Sequence, residues 1–360
     1  MRTGIKTMTF VVGTGRSGST ALSRVLRLHP EVLSLSELWS GVVRSPSLGE
    51  RPLSGAEFWQ RLTEPNQVFE SMIRSGTPFP ELLYNRHPEW RYSADTGIPG
   101  VSLITLPHLS DDPDALLDAL EPEVTGWPER PVAQQWEAFF GALAHRLGGR
   151  EAAVERSGYS LHLVTVLRRL FPDARFVHLF RDGPDCALSM SRHTGYRMIA
   201  MLREVLRLSG VGSASELTEE HVKQLPADLA PLLSPQYDPR LVLEREMPVP
   251  GFGELWSELV TEGMQQLAAV PEERRTSLSY ERLLEAPRSE LARLAGFIGV
   301  QPLAEWLEEG AALLDGAGRR GSALALPPEE LTALRERCAP GEQALGVRAP
   351  GTGDVTVPTR

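Results

Sequence analysis

The sequence predicts an α/β fold with a parallel central sheet flanked by helices. Three observations carry that expectation. An apolar run, Thr9 to Val12, leads through a glycine-rich turn, Gly13 to Gly18, into a helix-period stretch, Ser19 to Leu28. The alternation then recurs: Ala152 to Val154 suits a short strand, Tyr159 to Phe171 a helix, and Arg175 to Phe180 an apolar, β-rich strand. A further helix opens at Gly183, with Asp182 ahead of it. Links this short between strand and helix are the pattern of a parallel sheet with helical crossovers.

The other elements follow in order. The first helix ends at His29-Pro30, and Val32 to Leu35 reads as a further strand or turn. From Gly41 to Pro131 prolines and glycines are frequent, and SDDPDALLDAL suggests one helix. Gln134 to Leu147 is an amphipathic helix closed by Gly148-Gly149. Ser209 to Pro250 is a second irregular stretch. Gly253 to Leu267 reads as a helix, Arg275 to Tyr280 as a strand and Arg288 to Gly299 as a helix. The tail after Gly316 is rich in Gly and Arg, and a helix runs from Pro328 to Cys338. No internal repeat is apparent. The expected organisation is a single domain over 1–360, with 41–131 and 209–250 as variable insertions.

Composition narrows the class. Hydrophobic residues make up 41% and charged residues 23% of the chain, which is ordinary globular composition. The net charge is −10 and no basic run occurs, so a general nucleic-acid binder is excluded. An anionic ligand must be held by local arginines. The two cysteines, Cys186 and Cys338, match no metal spacing and fit a reducing compartment. No stretch approaches the ~20 apolar residues of a membrane helix, and the N-terminal apolar run is too short for a signal peptide. The expected location is the cytoplasm. Lysine occurs only as Lys6 and Lys223, which points to a GC-rich, bacterial genome and lets Arg stand where relatives use Lys.

The turn GTGRSGST lies between a predicted strand and a predicted helix. Glycines let several backbone N–H groups converge on one anion, and the helix N-terminus adds its positive end. Against the nucleoside-triphosphate pattern G-x-x-x-x-G-K-[ST], Gly13 and Gly18 match, but Ser19 stands in place of Lys. The kinase reading loses its main phosphate cation. Arg-Ser-Gly-Ser-Thr after an apolar strand resembles the 5′-phosphosulfate loop of sulfotransferases that use 3′-phosphoadenosine 5′-phosphosulfate (PAPS), in particular the bacterial and tyrosylprotein-like branch. The resemblance implies a P-loop-like sulfotransferase fold with helical insertions. It also implies that Gly15, Arg16, Ser17, Gly18, Ser19 and Thr20 hold the phosphosulfate.

Further stretches resemble the same family. FPDARFVHLFRDGPDCALSM is similar to its 3′-phosphate motif, which implies that Arg181 and Ser189 hold that phosphate. TSLSYERLLEAPRSELARLAGFIGV looks like its Tyr-Glu-x-Leu…Pro stretch, which closes one side of the sheet. Arg319-Arg320-Gly321 resembles an Arg-Lys-Gly that helps hold the 3′-phosphate, with a solvated basic loop as the alternative. Where the cytosolic branch has Lys-Thr-His, this chain has Arg156-Ser157-Gly158. Arg156 can fill the cation role, but Gly158 replaces the histidine base. His162 lies on the following helix, and His178, within a strand, reads as a satisfied core or edge histidine. Other branches use Glu, and Glu37 follows Arg16 by 21 residues, the spacing of that branch.

The resemblance therefore implies an enzyme that moves sulfuryl from PAPS to a hydroxyl of a small-molecule, sugar or lipid acceptor, leaving PAP, without a metal. Glu37, Arg16 and Arg156 are the expected catalytic residues. The insertions are expected to form the acceptor site. A small-molecule kinase with a divergent loop and a non-catalytic nucleotide-binding protein are the alternatives.

Overall fold

The computed structural model describes residues 4–42, 51–233, 238–315 and 320–346. Five strands form one parallel sheet: β1 (Thr7–Val12), β2 (Val32–Ser36), β3 (Ala152–Arg156), β4 (Arg175–Phe180) and β5 (Arg275–Ser279), in the order β2-β3-β1-β4-β5. β1 pairs with β3 from Thr7↔Ala152 to Val11↔Arg156 and with β4 from Thr9↔Arg175 to Val12↔His178.

Both faces of this sheet are covered, which is why its strands read as apolar runs rather than as alternations. On one face Phe10, Trp39, Trp136, Phe139, Phe171 and Phe176 form an aromatic core. On the other, Val11 and Val177 pack against Leu22, Val25 and Leu26 of the Ser19–Arg27 helix and against Leu291 and Ile298.

Two readings are corrected, and the helix at Gly183 gains its end. The stretch 41–131 is not irregular with one helix: it holds Gly55–Thr63, Gln67–Ser75, Thr105–Leu109 and Pro113–Thr125. Ser54 and Asn66 cap the first two of these, and the capping residues stand among the prolines that masked them. The helix that opens at Gly183 stops at Ser191, and a second one, Thr194–Ser209, starts with His193 as its N-cap. The last helix does not stop at Cys338 but continues through Pro340 to Leu345. Proline breaks the hydrogen-bond ladder there. The Ser257 hydroxyl repairs it, donating to the Arg337 carbonyl (2.6 Å) and accepting from the Gly341 N–H (3.2 Å). His178 is buried as expected, but among the described residues neither of its ring nitrogens has a hydrogen-bond partner, and burial pushes its pKa down to about 4.

Candidate active site

Because all five strands run the same way, their carboxyl ends share one edge, where open α/β sheets hold their ligands. Strand order sets what meets there. Ser36 and Glu37 leave β2, Arg156 to Gly158 leave β3, the Gly13–Gly18 loop leaves β1 and Arg181 leaves β4.

The loop is tightly braced. Gly15 and Gly18 take φ of 79° and 82°, and an added Cβ would stand 1.5 Å from the Tyr196 hydroxyl and 2.1 Å from the Tyr280 ring. Tyr196 donates to the Thr14 carbonyl at 2.6 Å, and Cys186 donates to the Gly15 carbonyl at 3.2 Å. Burial pushes Cys186 up to about 11, which keeps it a thiol. Ser17 is turned inward and donates to Gly15, while Thr20 is exposed. The Ser19–Arg27 helix begins after Gly18 with no side chain capping it, so its first N–H groups face the loop uncapped. Among the described residues only two that are not glycine adopt left-handed backbone: Arg16 (φ 57°) and Glu37 (φ 52°). Such conformations cost of order 1–3 kcal/mol each and cluster at functional sites.

Glu37 is buried, and its carboxylate accepts from the Arg156 guanidinium, from the Gly158 N–H at 3.0 Å and from Ser40 at 2.6 Å. A carboxylate offers about four acceptor positions, so one remains. A Cβ on Gly158 would come 3.1 Å from Glu37 Oε1. The Glu37 carboxylate thus fills the space into which a side chain at 158 would grow. Arg156 stands behind it, donating to Ser36 at 2.5 Å and reaching Ser19 at 3.5 Å.

Two cavities meet at the loop. The first is a polar cleft of about 390 Å³, lined by Arg16, Arg181, Ser189, Arg192, Tyr280 and Ser322 among others. Arg181 lies over the Tyr280 ring (5.3 Å) and reaches Asp185 at 3.3 Å. Asp185 also accepts from the Gly321 and Ala323 N–H groups at 2.7 and 2.9 Å, which brings the C-terminal segment to this cleft. Arg320 itself turns to Glu285 (2.7 Å) and does not line the cleft, and Arg319 lies outside the described residues. The second cavity, about 460 Å³, has Arg16, Ser19, Glu37 and Gly158 at its loop end and apolar side chains beyond.

Arg16 and His193 line both cavities. Arg16 donates to Glu81 at 2.9 Å and to Ser189 at 3.2 Å, and the His193 Nε2 is 3.0 Å from the second Glu81 oxygen. His193 Nδ1 accepts from the Gly195 N–H, so the ring proton sits on Nε2 and is donated to Glu81. Burial pushes the Glu81 carboxyl up, but the hydrogen bond from His193 and the charge of Arg16 outweigh it and hold it below its usual value. Sequence reasoning missed Glu81, His193, Arg192 and Tyr196. Only His193 had a local signal, as the cap between two helix-period stretches.

The family comparison agrees with this architecture. A profile described as the sulfotransferase family matches residues 9–224, more than half of the 360-residue chain. The chain belongs to the sulfotransferase family. Among solved structures, the sulfotransferase domain from the curacin biosynthetic pathway is 15% identical, with 96% of this chain and 93% of that one covered at a TM-score of 0.43. A sulfotransferase from Mycobacterium avium is 17% identical, with 96% and 79% covered at 0.44. Retinol dehydratase in complex with androsterone and inactive cofactor PAP is 14% identical, with 97% and 84% covered at 0.38. No curated protein matches the sequence.

In this sulfotransferase-family chain two other histidines come near the site without lining either cavity. His162 packs at a tilt against the Tyr159 ring (4.4 Å), and burial lowers its pKa to about 4. His108 lies behind the loop helix near Ser23 and Ser34, lowered to about 3 by burial and then by Arg156. Among the described residues no helix is long and apolar enough to cross a membrane.

Glu155, beside Arg156, is fully buried, and burial pushes it from 4.5 up to about 8, against the hydrogen bond from Ser157. Between those two values the folded chain holds a proton that the unfolded chain releases. Stability is therefore lost as pH rises through that window. Glu155→Gln removes the titration. Chemical denaturation from pH 5 to 8 should show the variant gaining on the parent by up to about 1.4 kcal/mol per pH unit. A pH-independent difference would place the Glu155 proton elsewhere.

Proposed function

We propose that this protein transfers the sulfuryl group of PAPS to a hydroxyl of a small-molecule, sugar or lipid acceptor, by in-line displacement without a metal ion. The observation that carries the reading is the meeting of a cation-rich polar cleft with an apolar cavity at one phosphate-type loop. The loop N–H groups, Arg16 and Ser19 suit the 5′-phosphosulfate. Arg181 and Ser189 suit the 3′-phosphate, with Arg192 as a further cation on the cleft wall. The donor supplies an activated sulfuryl group. Glu37 takes the acceptor proton as the acceptor oxygen bonds to sulfur, and Arg16 and the loop N–H groups meet the charge left on the departing phosphate oxygen, with Arg156 acting from behind through Glu37 and Ser19. Both insertions wall the apolar cavity, through Phe69 and Met72 from the first and Val242 from the second, which supports their role as the acceptor site.

Thermal melts test the donor. PAP should raise the midpoint well above the shift that ATP produces, because ATP has nothing for Arg181 and Ser189 to hold, and stabilisation follows affinity. Sulfuryl transfer should also survive excess chelator, since arginines and backbone N–H groups supply the positive charge. Equal shifts from the two nucleotides, or activity that returns only with Mg²⁺, would favour the kinase reading.

A further inference from the structure

The 460 Å³ cavity points to the chemistry of the acceptor, on the premise that the sulfotransferase reading holds. Its polar side chains gather at the loop end and are engaged with one another: Arg16 with Glu81, Glu81 with His193, and Glu37 with Ser40. The Tyr196 hydroxyl is turned away to the Thr14 carbonyl. Apart from the phenol of Tyr159, the described wall beyond that end is hydrocarbon and thioether, from Phe69, Met72, Met198, Met201, Val205 and Val242. We infer that the acceptor is an alcohol with one leading hydroxyl and an apolar body, a long-chain or polycyclic alcohol, and not a sugar.

Two physical arguments support this. A sugar seated in the cavity would bury several hydroxyls against a wall whose described polar groups beyond the loop end come down to the Tyr159 phenol. Each such hydroxyl costs about tenfold or more in affinity. An apolar body gains instead, by about three- to fourfold per buried methylene. The volume lies in the range that accommodates a ligand of drug size. Three methionines among the wall residues add a surface that re-packs around different apolar shapes.

The test uses the full chain with PAPS, straight-chain primary alcohols from butanol to decanol, and glucose, with the sulfate ester measured by mass spectrometry and PAP affinity by titration. kcat/KM should climb about threefold per methylene until the cavity is full, and glucose should be sulfated at least 100-fold less well than octanol. Met198→Glu and Ile199→Glu place a carboxylate on the half-buried part of the wall, where the fold tolerates it better than at fully buried Met201. Each should lower kcat/KM for octanol at least tenfold and leave PAP affinity unchanged, which also reports that the variant is folded. Tight PAP binding with a flat chain-length profile, with glucose as the better substrate, or with no alcohol sulfated would overturn the acceptor inference and spare the donor reading. Absence of PAP binding would overturn both.

Discussion

Replacing Glu37 with glutamine is expected to lower the rate of sulfuryl transfer by roughly 10²–10⁴-fold, the usual worth of a positioned base. Affinity for PAP should stay nearly unchanged. An alcohol is a poor nucleophile while it keeps its proton, and Gly158 offers no side chain to take it. Glu37 lines the acceptor cavity with its carboxylate in the space that a residue at 158 would occupy. The substitution is close to silent for the frame. A glutamine oxygen can still accept from Arg156 and the Gly158 N–H, and the Ser40 hydroxyl can turn to accept from the amide. Turnover at saturating acceptor and PAP titration form the pair of measurements. Near-normal turnover would move the base to Glu81, the other carboxylate on the cavity wall. Loss of PAP binding as well would mean that Glu37 serves the loop through Arg156 and is not the base.

Arg181→Ala should weaken PAP binding by roughly 1.5–3 kcal/mol, or about ten- to 150-fold. Two effects add in one direction. The variant removes a charged donor from the wall of the polar cleft. It also leaves the Asp185 carboxylate without its neighbouring cation, although the Gly321 and Ala323 N–H groups still hold it in place. The negative charge then faces the incoming phosphate. Asp185→Asn in the Arg181→Ala background should recover part of the loss. Unchanged affinity in Arg181→Ala would place the 3′-phosphate elsewhere, with Arg192 the nearest candidate.

Local pattern carried the sheet and the loop. Strand–turn–helix at Thr9 to Leu28 is contiguous, and so is the stretch from Arg175 to Ser189, so residue types and spacing were enough to bring Arg16, Arg181 and Ser189 to one edge. Glu37 was legible through its spacing of 21 residues from Arg16 and the branch that spacing resembles, and it stands directly after β2. The partners of Arg16 were not. Glu81 lies 65 residues away in a proline-rich stretch. His193 reaches the same carboxylate across 112 residues. Contacts of that kind come from how the first insertion folds over the sheet edge, and no periodicity announces it. Arg156 was legible as a cation but not as a buried one: its pairing with Glu37 depends on β2 and β3 lying side by side. The run through Pro340 was hidden for a related reason, since the hydroxyl that sustains it belongs to Ser257 on another helix.

Asp185 has a consequence for the order in which the molecule is completed. Its two backbone donors, Gly321 and Ala323, are supplied more than 130 residues after it. The phosphate loop and Arg181 have their described braces, Tyr196 and Tyr280, once residue 280 has been translated. The polar cleft is not complete at that point, because one of its carboxylates still waits for donors that are translated near the end. A nascent chain halted before Gly321 would carry an acid with only Arg181 to answer it, at the place meant for an anion. The wall of the polar cleft is thus completed by backbone donors that the ribosome adds late.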